Sequence, residues 1–229
     1  MTMGSIFHDM WDIFLDFYIG KGLLWTGIAY TLALSAIAVF FGAIFGALLA
    51  VGKMSRFKTL RFIITAFIEI MRGTPALLQL YIAYFIVPML LPKLDPSPFT
   101  CVAIGLMLNS AAYVSEIIRS GIDAVDKGQT EAARALGLTS KTTMIKVVMP
   151  QAIKNILPAL GNEFITIIKE TSLASTFFVG ELMTTYAVIR GVTFSPLPTL
   201  MDIGIIYFVM TFTLSKLLGK VERRMKASA

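Results

Sequence analysis

Long apolar runs separated by short polar connections make up most of the chain. The first run lies between Lys21 and Lys53, and no charged residue interrupts it. Because about 20 apolar residues are enough for a helix to cross a bilayer, this run predicts one tilted membrane span. Similar runs recur along the chain, and the pattern predicts five spans in all, at about residues 22–52, 62–91, 99–119, 152–172 and 200–218.

The second predicted span is irregular, because Glu69 and the sequence Arg72–Gly73–Thr74–Pro75 interrupt it. Proline lacks a backbone N–H, so Pro75 frees a carbonyl group in the preceding turn. Such a break is tolerated at membrane depth where the backbone lines a cavity. Thr74 and Gln79 are therefore candidates to contact a substrate, and a simple kink at Pro75 is the alternative.

Residues 1–22 form an N-terminal segment with a different pattern. Acidic residues interrupt its apolar positions, which excludes a cleavable signal peptide. Apolar side chains instead recur at helical spacing, at Phe7, Met10, Trp11, Phe14, Leu15 and Tyr18. This spacing predicts a short extracytoplasmic helix along the membrane interface, and a loosely ordered tail is the alternative.

Composition agrees with an all-α polytopic membrane protein. Of the 229 residues, 56% are hydrophobic and 15% are charged, whereas soluble domains carry about 25% charged residues. The chain has one cysteine, Cys101, and one histidine, His8. We therefore expect no internal disulfide and no metal site.

The distribution of positive charge predicts the orientation. Most of the 20 Lys and Arg residues lie in the loop after the first span, the loop after the third span and the C-terminal tail. The opposite side has only Lys21, Lys93 and Arg190. The positive-inside rule then places the N-terminus outside and the C-terminus in the cytoplasm. We expect a transmembrane domain at 23–219 with a cytoplasmic loop at 120–150, followed by a basic tail at 220–229. The net charge of +6 thus reflects topology, and we expect no nucleic-acid binding.

The cytoplasmic loop contains a polar segment, residues 131–150, that is too charged to lie in lipid. Residues 131–136 favour a helix, and Gly137 is placed to end it in a left-handed cap. Thr139 or Ser140 can cap a second short helix that extends to Val148. The alanines leave a narrow surface for close approach by another protein, and an ordinary connector without a partner is the alternative.

Several separated motifs resemble those of ABC-importer permeases, in the branch for uptake of polar amino acids. The first comprises Glu131-Ala132-Ala133, Gly137, Val147 and Met149-Pro150, with Val147 and Met149 at positions where the family usually has Ile and Leu. The others, in chain order, are Arg72–Pro75 with Gln79, Asn109–Tyr113 with Glu116–Ile122, Gln129–Ala133, Leu157-Pro158 with Asn162-Glu163, and Lys169–Leu173. The resemblance implies a type I importer permease fold of five spans.

The resemblance also implies partners and a mechanism. Cytoplasmic ATPase subunits would close on ATP and move the short helix seated in them, through Gln129, Glu131, Ala132, Ala133, Arg134, Leu136 and Gly137. This chain has no Gly-x-x-x-x-Gly-Lys-[Ser/Thr] phosphate loop, so ATP would be used by the partner and no cofactor would be bound here. A second permease copy or a sister permease, an external amino-acid-binding protein and the lipid of a bacterial plasma membrane complete the expected set.

Polar residues within the spans are candidates for substrate contact, since an ionisable group there costs about 2.5–3.5 kcal/mol on insertion scales. In the resembling family, the glutamate of the Asn162-Glu163 pair lines the intramembrane substrate site. A helix–helix hydrogen bond, or an ion pair of Glu163 with Arg72 or Lys169, is the alternative. Asn109, Ser110 and Tyr113 on the third span either contact substrate or join helices.

The leading interpretation is a permease subunit of an ATP-driven importer for polar amino acids, without catalytic activity of its own. An ATP-independent channel or ion-coupled secondary carrier is the alternative, because intramembrane charges can also form an ion path. An intramembrane enzyme is disfavoured, since the sequence has no Ser/His, paired-Asp or metal constellation at usable spacing.

Overall fold

The computed structural model describes residues 3–227, and these residues are almost entirely helical. The α-helices, in chain order, are α1 (Met3–Ile13), α2 (Leu23–Lys53), α3 (Lys58–Gly73), α4 (Ala76–Leu90), α5 (Pro98–Asp123), α6 (Lys127–Ala135), α7 (Ser140–Thr143), α8 (Met149–Glu170), α9 (Leu182–Thr193) and α10 (Pro196–Ala227). π-Helical segments cover Phe14–Gly20 and Met144–Val148, and 3₁₀ turns cover Pro92–Leu94 and Thr171–Phe177.

Three helices, α2, α5 and α10, are each long and apolar enough to cross a membrane. Two bent pairs pass the same test: α3 with α4, and residues 140–177 with α9. The five predicted spans agree with this architecture if each bent pair crosses once.

The second predicted span differs most from expectation. Residues 62–91 do not form one helix with a kink, because α3 and α4 are two helices bent by 115°. The cause is local: the residue before a proline is pushed out of the helical region, and Thr74 accordingly has φ −118° and ψ 151°. Pro75 then precedes the first turn of α4, where its missing N–H costs little.

Close contact between α2 and α5 forms the centre of the molecule. A Cβ atom on Gly46 would lie 2.8 Å from the Ala111 carbonyl oxygen and from Val114, and one on Gly42 would lie 2.9 Å from Ser110. Glycine is thus required for the helices to approach this closely, as small residues in membrane helices allow. The adjoining apolar core includes Leu34, Leu80, Leu106 and Ile167, from α2, α4, α5 and α8.

A second apolar core joins the N-terminal segment to α9 and α10. It contains Ile13, Tyr18, Leu182, Ile189 and Ile203. The predicted N-terminal helix is confirmed for the described residues from Met3 onward, and the alternative of a loose tail is wrong for them. Between the fourth and fifth predicted spans, where the sequence predicted no helix, the structure has the regular helix α9.

Candidate functional site

Helix α6, in the loop predicted to be cytoplasmic, has well-formed ends. At its start, Asp126 Oδ1 accepts a hydrogen bond from the Gly128 N–H at 2.6 Å. At its end, Gly137 has φ +84°. The N–H groups of Leu138 and Gly137 donate to the carbonyls of Ala133 and Arg134, at 3.1 and 3.0 Å. This is the Schellman arrangement, and it confirms the predicted left-handed cap.

Six of the seven predicted coupling residues lie on the surface. Ala133 is the exception: it is buried at 5% exposure, and α6 packs against the π segment Met144–Val148. Leu136, in contrast, is 84% exposed. The exposed predicted positions are Gln129, Glu131, Ala132, Arg134, Leu136 and Gly137.

The second short helix is shorter than predicted, and it continues into the next span. Thr139 caps it by accepting a hydrogen bond from the Thr142 N–H at 3.2 Å. Only Ser140–Thr143 is α-helical, and the π segment Met144–Val148 then runs directly into α8. Residues 140–177 are therefore helical without interruption, from the loop after α6 through Glu163.

Thr74, Gln79 and Asn109 come together at the break between α3 and α4. The Gln79 Nε2 group donates to the Met71 carbonyl at 2.7 Å, to the Thr74 carbonyl at 3.1 Å and to Thr74 Oγ1 at 2.9 Å. Asn109 Nδ2 donates in turn to Gln79 Oε1 at 2.8 Å. The backbone groups freed by Pro75 are thus satisfied by a side chain, as non-helical backbone at membrane depth requires.

Glu163 is buried on α8, at 8% exposure. Its carboxyl group lies beside Ser110 of α5 and within electrostatic range of Glu170. Among the described residues Glu163 has no ion pair with a cation, so the alternative pairing with Arg72 or Lys169 is wrong. The Ser110 hydroxyl faces the Glu163 carboxyl group, which is the helix–helix contact offered as the other alternative, whereas Asn109 Oδ1 is buried and has no hydrogen-bond partner within residues 3–227. Buried polar atoms normally have a partner, so this region has free capacity to bind a polar group.

Tyr113 and Asn162 are exposed, unlike the other predicted substrate residues. Arg72 lies over the Tyr113 ring, with its guanidinium carbon 5.9 Å from the centroid. Arg72 and Tyr113 line an open groove of about 360 Å³ between α5 and α8, together with Glu116 and Asn155. The predicted substrate residues therefore divide into a buried group and an exposed group.

A charged cluster around Glu116 was not predicted. Its carboxylate accepts from Lys53 Nζ at 2.7 Å and Arg119 Nη2 at 2.9 Å, and Arg72 Nη1 lies 3.5 Å away. Lys53 ends α2, Arg72 is near the end of α3 and Arg119 is on α5, so the cluster ties three helices together. The sequence indicated only that Glu116 shares a helix face with Asn109 and Tyr113.

Glu181 was also missed, although it is fully buried. Its carboxylate accepts from the N–H groups of Met183 and Thr184, at 2.6 and 2.8 Å, and from the Tyr207 hydroxyl at 3.3 Å. The adjacent Leu182 N–H donates to Thr31 Oγ1 at 3.2 Å. These bonds attach the start of α9 to α2 and α10, and the sequence signal for them is a glutamate followed three residues later by Thr184.

Comparison with known proteins gives consistent matches over most of the chain. Residues 38–227 match the family described as the inner membrane component of binding-protein-dependent transport systems. The arginine transport system permease protein ArtQ of Bacillus subtilis (strain 168) is 40% identical over 202 residues, which are 88% of this chain and 92% of ArtQ. The L-cystine transport system permease protein TcyB of the same organism is 37% identical over 226 residues, covering 98% and 94% of the two chains.

A solved structure described as an amino acid ABC transporter with histidines has the same architecture. Its TM-score is 0.86 at 44% identity, and the match covers 92% of this chain and 98% of that one. The all-helical fold is therefore the type I importer permease fold that was expected. By family match and by overall structure, this chain belongs to the inner membrane components of binding-protein-dependent transport systems.

Proposed function

We propose that this chain is the permease subunit of an ATP-driven importer of polar amino acids, and that α6 receives the motion of a separate ATPase. The names of ArtQ and TcyB, arginine and L-cystine permeases, support the substrate class. The observation that carries the proposal is the continuous helical path from Ser140 to Phe177. It connects the exposed surface of α6 to the buried carboxylate of Glu163.

The helical path provides a physical route for coupling. A flexible linker absorbs a displacement, whereas a helix moves as a stiff element. Pro158 removes one backbone bond inside α8, but the helix continues through it to Glu170. Helix α6, in which Ala133 is buried, packs against the π segment that leads into α8. A push on the exposed positions Glu131, Arg134 and Leu136 is thereby transferred to the start of α8.

The buried group around Glu163 has the chemistry needed for an amino acid. A carboxylate complements an α-ammonium group or a cationic side chain, while the Asn109 amide oxygen, which has no partner among the described residues, can accept a hydrogen bond. Thr74 and Gln79 hold the helix break next to Asn109, and Tyr113 and Asn162 lie on the exposed side of α5 and α8. We assign the buried residues to the substrate site and the exposed pair to its approach.

The remaining parts of the transporter are supplied in trans. A cytoplasmic ATPase uses the ATP, and this chain acts as a non-catalytic subunit that binds no cofactor. A second permease, identical or a sister, completes the pathway, and an external binding protein delivers substrate. The N-terminus is outside and the C-terminus is in the cytoplasm of a bacterial plasma membrane.

Uptake by proteoliposomes tests this function. Vesicles containing the chain with its ATPase and binding protein should accumulate radiolabelled amino acid only when ATP is present on the ATPase side. Vesicles containing the chain alone should take up none. Uptake by the chain alone, driven by an ion gradient or by the substrate gradient, would instead show a carrier or a channel.

The Glu131→Ala variant tests the coupling role of α6. Glu131 is exposed and forms no ion pair within the described chain, so its removal should change the free energy of unfolding by about 0.5 kcal/mol or less. We expect ATP-dependent uptake to fall while insertion is retained. Lys141→Ala, an equally exposed change on α7, is the matched control. Equal uptake by Glu131→Ala and the control would refute the docking role.

A further inference from the structure

A cavity of about 660 Å³ lies where α2 and α5 end beside the first turns of α3. It is separate from Glu163 and from α6. The residues that line it come from these three helices only: Ala50, Lys53, Met54, Lys58, Arg61, Phe62, Thr65, Arg119, Ile122 and Asp123. Because α2 and α5 are both candidate membrane spans, their shared end lies at the level of lipid headgroups.

The charge of this cavity is unbalanced. Lys53 and Arg119 are paired with Glu116, and Arg119 also contacts Asp123 at 2.7 Å. Lys58 and Arg61 are exposed and form no ion pair with any residue that the structure describes. The lining thus has four cations and one carboxylate, Asp123. The two cations without an ion pair, Lys58 and Arg61, are three residues apart on one helix face.

Apart from Thr65, the rest of the lining is apolar. Met54 is 63% exposed and Phe62 is 73% exposed, and Ala50 and Ile122 continue the apolar wall along α2 and α5. A cationic rim next to an apolar wall matches a molecule with an anionic head and a hydrocarbon tail. A soluble protein partner or a free anion would leave one of these two surfaces without a complement.

We propose that this cavity binds an anionic phospholipid, with the phosphate between Lys58 and Arg61 and an acyl chain against Met54 and Phe62. Basic pockets between membrane helices on the cytoplasmic side are suited to acidic headgroups, and each Lys or Arg near the surface contributes about a fivefold gain in binding. The lipid then links α3 to α2 and α5 beside the Glu116 cluster. This proposal rests on membrane placement and is independent of the transported substrate.

Native mass spectrometry of the transporter, purified with its ATPase through a tag on this chain, measures the binding directly. Titration with dioleoylphosphatidylglycerol should give a higher binding constant than titration with dioleoylphosphatidylcholine. The Lys58→Gln/Arg61→Gln variant should lower the phosphatidylglycerol constant roughly tenfold or more and leave the phosphatidylcholine constant unchanged. The unchanged constant also shows that the variant is folded.

The matched control is Lys220→Gln/Arg223→Gln on α10, which removes the same two residue types at the same spacing from another exposed position. An equal loss in both variants would reveal general surface attraction and overturn the site. Displacement of the lipid by excess inorganic phosphate would identify a free-anion site instead. Binding to the isolated chain that disappears in the complex would mean that another subunit covers the cavity, and would also overturn the proposal.

Discussion

Glu163 is a buried carboxylate without a cation beside it among the described residues. Keeping such a charge in an apolar span is unfavourable for the folded chain. A cationic substrate that binds beside Glu163 would stabilise the charge. Within the described structure its neighbours are Ser110 and another acid, Glu170. An incoming ammonium group would meet a negative site that no internal cation neutralises.

Glu163→Gln should therefore weaken transport without weakening assembly. The amide keeps the shape of the side chain and removes its charge, and a hydrogen bond to a charged group contributes about 1.5–3 kcal/mol. We expect uptake at low substrate concentration to fall roughly tenfold or more, or selectivity to change, while the ATPase still copurifies. Glu69→Gln removes an exposed carboxylate from α3 and is the control. Unchanged uptake at all substrate concentrations would disprove the site.

Glu116 on α5 forms the ion pairs that join α5 to the ends of α2 and α3. Its side chain is 13% exposed and is shared by Lys53, Arg72 and Arg119. Removal of its charge leaves Lys53 and Arg72 without an ion-pair partner among the described residues and leaves Arg119 with Asp123 alone, which is worse than the loss of a single pair. Because the partners are partly exposed, the cost is reduced by solvent screening.

The Glu116→Gln variant should consequently unfold at a lower temperature than the wild type, with a loss of about 1–2 kcal/mol. The measurement is thermal unfolding of the detergent-solubilised protein followed by circular dichroism. Asp123→Asn breaks the neighbouring pair with Arg119, but the Asp123 side chain is 63% exposed, so a loss below about 1 kcal/mol is expected. A Glu116→Gln loss no larger than that of Asp123→Asn would show that the cluster is not a stabilising junction.

At the scale of elements, the end of α6 determines which surface the loop presents. Gly137 holds a conformation that non-glycine residues rarely adopt, and a Cβ atom there would meet nothing within 4 Å. A larger residue at position 137 is therefore disfavoured by the positive φ angle of the backbone, and not by a clash of its side chain with neighbouring atoms. It turns the chain sharply from α6 into the capped start of α7.

Substitutions at Gly137 should show that uptake depends on the left-handed backbone conformation and not on the absence of a side chain. Gly137→Asn keeps both the left-handed conformation and the N–H donor, so ATP-driven uptake should remain close to wild type. Gly137→Pro excludes the observed φ and removes the N–H bond to the Arg134 carbonyl, at a cost of about 3 kcal/mol. We expect that variant to hydrolyse ATP with little uptake. The readout is the number of amino acids transported per ATP, and equal ratios for the two variants would contradict the role of the cap.

The break between α3 and α4 shows how an element can be interrupted at little cost. One side chain, Gln79, satisfies the carbonyl groups of Met71 and Thr74 and is itself held by Asn109. A turn that would be unstable in lipid alone is thus fixed from the neighbouring helix. It also brings Arg72 to Glu116, so the break and the charged cluster depend on the same local geometry.

At the scale of the whole molecule, the sequence predicted features that depend on local periodicity and missed those that depend on contacts between helices. Apolar runs located the spans, and Gly137 indicated the end of α6. The size of the bend at Pro75 was not readable, because it depends on Gln79 and Asn109 meeting across 30 residues. Helix α9 was missing from the prediction, and its packing partners are the distant elements α2 and α10.

Membrane orientation is the property of the whole chain that rests most directly on charge. Single cysteines can test it, because the native Cys101 is buried and should not react with a polar maleimide. We expect the reagent to label Asp12→Cys and Leu94→Cys in intact cells, since both positions are exposed on the side poor in Lys and Arg. Leu136→Cys and Lys220→Cys, also exposed, should react only after the membrane is opened. Labelling of Leu136→Cys in intact cells would place α6 outside, where no cytoplasmic ATPase can reach it, and would overturn both the orientation and the coupling role.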